Sequence, residues 1–167
     1  MDKSQLRYPG IYAAVGGIVA LLGVYAGWFT ANYPDGSSAR VPATVIAAGQ
    51  LALWASVATF AFGAAYVIFG DEKIRKAMGS LVVICSMILL VACIFGFLRF
   101  RVAVQDAYVN HQIPNAAAVN PGRSLGLFVS MAGAIFALAG GAATLRPGGY
   151  VGEPEHVSPE GPPRMAN

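Results

Sequence analysis

Four stretches of this 167-residue chain, residues 8–34, 41–70, 77–98 and 124–145, contain no Asp, Glu, Lys or Arg. A bilayer core is about 30 Å thick and an α-helix rises about 1.5 Å per residue, so each stretch is long enough to cross it. The pattern predicts an all-α fold, an integral membrane four-helix bundle with spans at about 11–31, 42–69, 77–98 and 124–145. Residues 1–146 would form the membrane domain and residues 147–167 a Pro-, Gly- and Glu-rich cytoplasmic tail. Almost nothing is left for a soluble catalytic domain.

Composition agrees. Only 11% of residues are charged, against about 25% in a soluble domain. The net charge of +3 comes from basic residues spread over every connection rather than one face, which argues against nucleic acid. Lys3 and Arg7 precede the first apolar run as they would in a secretory signal. That run exceeds the roughly 7–15 residues of a signal core, and no small-x-small cleavage site precedes Asn32, so it reads as a retained helix.

Orientation is read from Lys and Arg. Lys3, Arg7, Lys73, Arg75, Lys76, Arg146 and Arg164 fall on the ends and the middle connection, whereas Arg40, Arg99, Arg101 and Arg123 fall on the other two. The bias puts both termini in the cytoplasm of a multi-pass plasma (inner) membrane protein. Trp28 and Tyr33 then mark the outer headgroup level, where amphipathic rings settle. Tyr33, Pro34, Asp35 and Gly36 begin a short outer turn. Residues 71–76 make a tight inner connection, so the second and third helices are expected as antiparallel neighbours.

Residues 99–124 form the longest internal segment outside the spans. Its first part, to Val109, either continues the third helix or lies along the membrane surface, and Pro114 and Asn120-Pro121-Gly122 read as loop. The fourth helix stops at Arg146-Pro147-Gly148-Gly149, and the tail beyond has the composition of a disordered segment.

The chemistry-bearing residues are elsewhere than in the spans. An ionisable side chain inside the membrane is the usual sign of proton coupling or a substrate path, and none of the four runs contains one. The two histidines, His111 and His156, lie in the outer segment and the tail, away from the helical Met78, Met87 and Met131, so opposed haem ligands are not expected. Cys85 and Cys93 stand about 12 Å apart along one helix, beyond the ~7 Å limit for a disulfide. The acids are scattered and form neither a pair nor a metal cluster. No catalytic residue, metal or cofactor is therefore expected.

Small residues recur instead. The fourth helix carries Gly122, Gly126, Ser130 and Ala134 at a spacing of four, with Gly133, Ala137 and Gly141 as a second row. The first has Gly23 and Gly27, and the second has Ala55, Thr59 and Gly63. Such rows let helix backbones approach closely in lipid. They serve either the chain's own bundle or a neighbouring membrane protein. Gln50 and Trp54 share one face of the second helix, and Gln50 either meets water or hydrogen-bonds across helices. The third helix, bulky on all sides, is expected to face lipid.

The Ala-, Gly- and Val-rich spans, Trp28-Phe29, and the Gly140-Gly141-Ala142-Ala143-Thr144-Leu145-Arg146-Pro147 exit into a Pro-rich tail resemble small four-helix membrane proteins of mycobacteria and related actinobacteria. Several of these are accessory subunits of larger assemblies. The nearest are the LucB-type accessory subunits of the Mce lipid-uptake transporter, followed by subunits of the respiratory supercomplex. The Trp and paired-Cys pattern of the claudin outer loop is absent. The resemblance implies a non-enzymatic accessory subunit that docks laterally on a larger integral membrane complex. Gly126, Ser130, Gly133, Ala137 and Gly141 are expected as its docking face, with Gln50, Trp54, Tyr108 and His111 as further contacts. The rival readings are a small autonomous transporter acting as a homo-oligomer, with a polar seam of Gln50, Ser56, Thr59 and Ser86, and a membrane enzyme in which His111 and Asp106 converge.

Overall fold

The computed structural model describes residues 8–69, 71–109 and 120–145. Among these, the chain forms α1 (Tyr8–Tyr25), β1 (Phe29–Asn32), β2 (Ser38–Val41), a 3-10 turn (Ala43–Val45), α2 (Ala47–Ile68), α3 (Glu72–Leu98), α4 (Phe100–Val109), β3 (Asn120–Arg123) and α5 (Leu125–Thr144). Helices α1, α2, α3 and α5 are each long and apolar enough to cross a membrane. They pack antiparallel around a square in the order α1, α2, α3, α5, so that α1 lies between α5 and α2.

The connection expected over residues 71–76 lies almost wholly inside a helix, because α3 begins at Glu72 rather than near residue 77. Asp71 caps it, its carboxylate accepting from the Lys73 amide at 2.8 Å. A capping acid at a helix N-terminus also meets the positive end of the helix dipole, which is why these charged residues join the helix. Glu72 and Lys76 pair at 2.7 Å one turn apart.

The opposite end departs most from expectation. The first helix stops at Tyr25, not near residue 31, because Gly27 adopts a left-handed φ of +84° that a side chain disfavours. The chain then leaves as a strand. In place of a bare turn and a loop, β1 pairs antiparallel with both β2 and β3, giving a three-stranded sheet of order β2-β1-β3. Gly122 therefore belongs to β3 and not to the small row of the fourth helix. The turn between β1 and β2 is closed by Gly36, also at φ +84°, with the Tyr33 amide donating to the Ser37 carbonyl at 2.9 Å. The second helix begins at Ala47 rather than Pro42, since Pro42 leads into the 3-10 turn.

Two further expectations are corrected by burial. The Trp28 ring is not turned outward as an interfacial ring would be; it is 0% exposed within the core cluster. The third helix does not face lipid all round: Gly79, Val82, Ser86, Leu89, Ala92, Cys93 and Gly96 form a buried stripe, packed against α2 and α5. Ile84, Met87, Ile88, Val91, Ile94 and Phe95 cover its outer side. The stripe was masked in the sequence because buried and outward positions are both apolar in such a helix.

Candidate functional site

The small residues of α5 are where the bundle closes on itself. A Cβ built on Gly16 would come within 2.5 Å of the Ala137 amide nitrogen, and one on Gly23 within 2.5 Å of that of Ser130. On the facing side, Gly126 abuts the carbonyls of Gly23 and Gly27, and Gly133 abuts the backbone of Gly16 and Ala20. Gly141 meets Val82 and Val83 of α3. Gly126, Ser130, Gly133, Ala137 and Gly141 are all buried within the chain. The expected docking face on the fourth helix is corrected accordingly, because its row is covered by α1 and α3 and is closed to a lateral partner.

The remaining expected contacts are scattered. Gln50 is exposed at the start of α2, with its Nε2 donating to the Thr44 carbonyl at 3.1 Å, so it closes the local 3-10 turn rather than bridging helices. Trp54 is 70% exposed on α2. Tyr108 is 40% exposed near the end of α4. His111 lies outside the described residues, as does the tail with His156. Of the suggested polar seam, Ser56 and Thr59 are buried and donate to the Ala52 and Ala55 carbonyls of their own helix, both at 2.7 Å. Ser86 is also buried. Cys85 and Cys93 are free thiols, as their spacing required.

What the structure does bring together is a cap over the sheet end of the bundle. The Ser124 amide donates to the Trp28 carbonyl at 2.8 Å, tying the start of α5 to the residue that leads into β1. Arg123 of β3 lays its guanidinium over the rings of Phe97 and Phe100, 3.9 and 4.3 Å from their centroids, and its Nε donates to the Phe97 carbonyl at 3.2 Å. Cation–π contact favours this flat cation, and the residue thereby joins β3 to the knee between α3 and α4. Helix α4 buries Ala103, Val104 and Ala107, and packs against β1 and β3. Its other side remains open, with Val102 and Val109 exposed beside Tyr108.

Next to this knee is a cleft of about 270 Å³, lined by residues 45–48 at the start of α2, by Phe95 and Arg99 of the α3 end, and by Val102, Ala103 and Asp106 of α4. In the sequence Arg99 reads only as an orientation charge, and Asp106 is set beside His111, which lies outside the described residues; the turn of the chain at Arg99 is what places Arg99 and Asp106 on one cleft. Family models, characterised proteins and solved structures give no match to this chain.

Proposed function

We propose that the chain is a non-enzymatic integral membrane accessory subunit that docks on and stabilises a larger membrane complex. Four helices able to span a bilayer, with small residues turned inward and bulky apolar residues turned outward, support insertion as a self-contained multi-pass unit. The excess of Lys and Arg on the connections opposite the sheet supports an orientation with the termini in the cytoplasm of a plasma membrane. The observation that carries the docking reading is the open side of α4. Tyr108 and Val109 are exposed at the end of a helix beyond the apolar spans, where adjoining apolar side chains contact water unless something covers them. The Arg123 clamp and the sheet hold that helix in place, so docking would cost little ordering entropy.

The resemblance to actinobacterial accessory subunits makes an Mce-type lipid transporter the first candidate partner and a respiratory supercomplex the second. Extraction from the native membrane in mild detergent, followed by affinity purification, should yield a stoichiometric integral membrane companion. Tyr108→Glu combined with Val109→Glu should remove that companion while the chain still inserts. Recovery of free monomers or homo-oligomers alone would overturn the reading.

A further inference from the structure

We propose that the cleft between the start of α2, the end of α3 and α4 binds the headgroup of a phospholipid carrying both a phosphate and a primary ammonium, that is, a phosphatidylethanolamine-type lipid. The inference rests on the membrane-inserted reading given above. Arg99 and Asp106 line the same cleft, and among the described residues neither makes an ion pair with the other or with a third group. A guanidinium and a carboxylate on one cleft that do not close on each other leave room for a group of opposite polarity at each end. A phosphate suits the fork of Arg99, and an ammonium with three N–H donors suits the carboxylate of Asp106.

The wall opposite α4 strengthens the anionic end. Ala47 and Ala48 are the first two residues of α2, and no side chain caps that helix. Amide groups at an uncapped helix start favour an anion. The remaining walls, Val45, Ile46, Phe95 and Val102, are apolar.

Position agrees with a lipid headgroup rather than a free metabolite. The cleft of about 270 Å³ lies just below the range of pockets that take drug-sized ligands, which suits a headgroup alone. Exposed apolar residues run from it along the spans: Phe95, Val91 and Ile88 down α3, and Leu51 one turn into α2 from Ala47 and Ala48. Arg99 directly follows the last residue of α3, at the level where an apolar span meets the headgroups.

The full chain, purified in mild detergent, would be offered equal amounts of phosphatidylethanolamine, phosphatidylcholine and phosphatidylglycerol, and the retained lipid read by native mass spectrometry. Phosphatidylethanolamine should be retained about tenfold over the other two, as expected for one added charge-assisted hydrogen bond. Asp106→Asn should abolish that preference and Asp106→Glu restore it. Arg99→Gln should weaken retention of all three, and Arg99→Lys should recover part of it. Equal retention of the three lipids, or a preference that survives Asp106→Asn, would overturn the proposal. Soluble glycerophosphoethanolamine should compete weakly; competition equal to that of the intact lipid would assign the cleft to a free metabolite and overturn the lipid source. Alkaline extraction of the chain from vesicles separates the two levels of the argument: release shows that insertion itself fails, whereas retention with unselective lipid binding sinks only the headgroup assignment.

Discussion

The indole Nε1 of Trp28 donates a 3.0 Å hydrogen bond to the hydroxyl of Ser130, 102 positions along the chain. The same hydroxyl donates to the Ala20 carbonyl at 3.2 Å. Both side chains are 0% exposed, so the indole, three residues beyond the end of α1, is held by a hydroxyl of α5 that also reaches the α1 backbone. A buried N–H has to find an acceptor in such a place. Ser130 supplies it without interrupting the row of small residues.

Ser130→Ala should therefore leave the Trp28 N–H unsatisfied and cost about 1–3 kcal/mol. Thermal or denaturant unfolding in detergent measures the loss. Combined with Trp28→Phe in a double-mutant cycle, the coupling should fall at about 0.6–2 kcal/mol. A coupling near zero would mean that the two groups do not share this bond.

Gly133→Leu should disrupt the chain itself and not merely its association with another protein. Its Cβ would strike the Ala20 and Gly16 backbones, so α1 and α5 would have to separate at a cost of at least about 1–3 kcal/mol. Leu at Ala139, an exposed position of the same helix, should change stability by less than about 0.5 kcal/mol. Similar melting of the two variants would show that the seam is not where the bundle closes.

Arg123→Gln should loosen α4 while leaving the four long helices intact. Each cation–π contact of an exposed Arg is worth about 0.5–1 kcal/mol, and Arg123 makes two, to Phe97 and Phe100. Hydrogen exchange should quicken in α4 and β3 and stay unchanged in α1 and α5. Uniform quickening would indicate that the clamp supports the whole bundle.

Asp35 makes a pH-dependent contribution to the β1–β2 turn. The Ser37 hydroxyl and then the Ser37 amide, donating at 2.6 and 2.9 Å, hold its carboxyl below the ordinary 3.8. A depressed carboxyl contributes stability that is fully present above the unfolded pKa and is lost as pH falls through the folded one. The turn should thus be unaffected by this group from neutral pH to about 5 and loosen only below the ordinary carboxylate range. Amide shifts of Ser37 followed through an acid titration check this, and Asp35→Asn should flatten the response.

The long helices were legible because each charge-free run is uninterrupted and membrane-length; the charged stretch 72–76 reads as a turn but continues α3 behind the Asp71 cap. The sheet was not. Phe29-Thr30-Ala31-Asn32 is continuous with an apolar run that reads as helix, and its strand conformation depends on two partners, one of them about ninety residues away. Strand preference of this kind belongs to the pairing surroundings rather than to the segment. The site was hidden for a related reason. Arg99 and Asp106 are unremarkable in sequence until the knee between α3 and α4 places them against the start of α2.

By itself, then, the sequence determined that four helices would be long and apolar enough to span a membrane and that their close approach would rely on glycine, alanine and serine. Those are local properties, set by charge, length and side-chain volume. Only the tertiary structure decided which way each small row turns. It directs the α5 row onto α1 and α3, which closes that face to partners, and it gathers β1, β2, β3 and α4 into a cap that leaves Val102, Tyr108 and Val109 open. In a chain whose inner and outer helix faces are equally apolar, hydropathy does not distinguish core from surface; backbone proximity at glycines and a few hydrogen bonds between distant residues do.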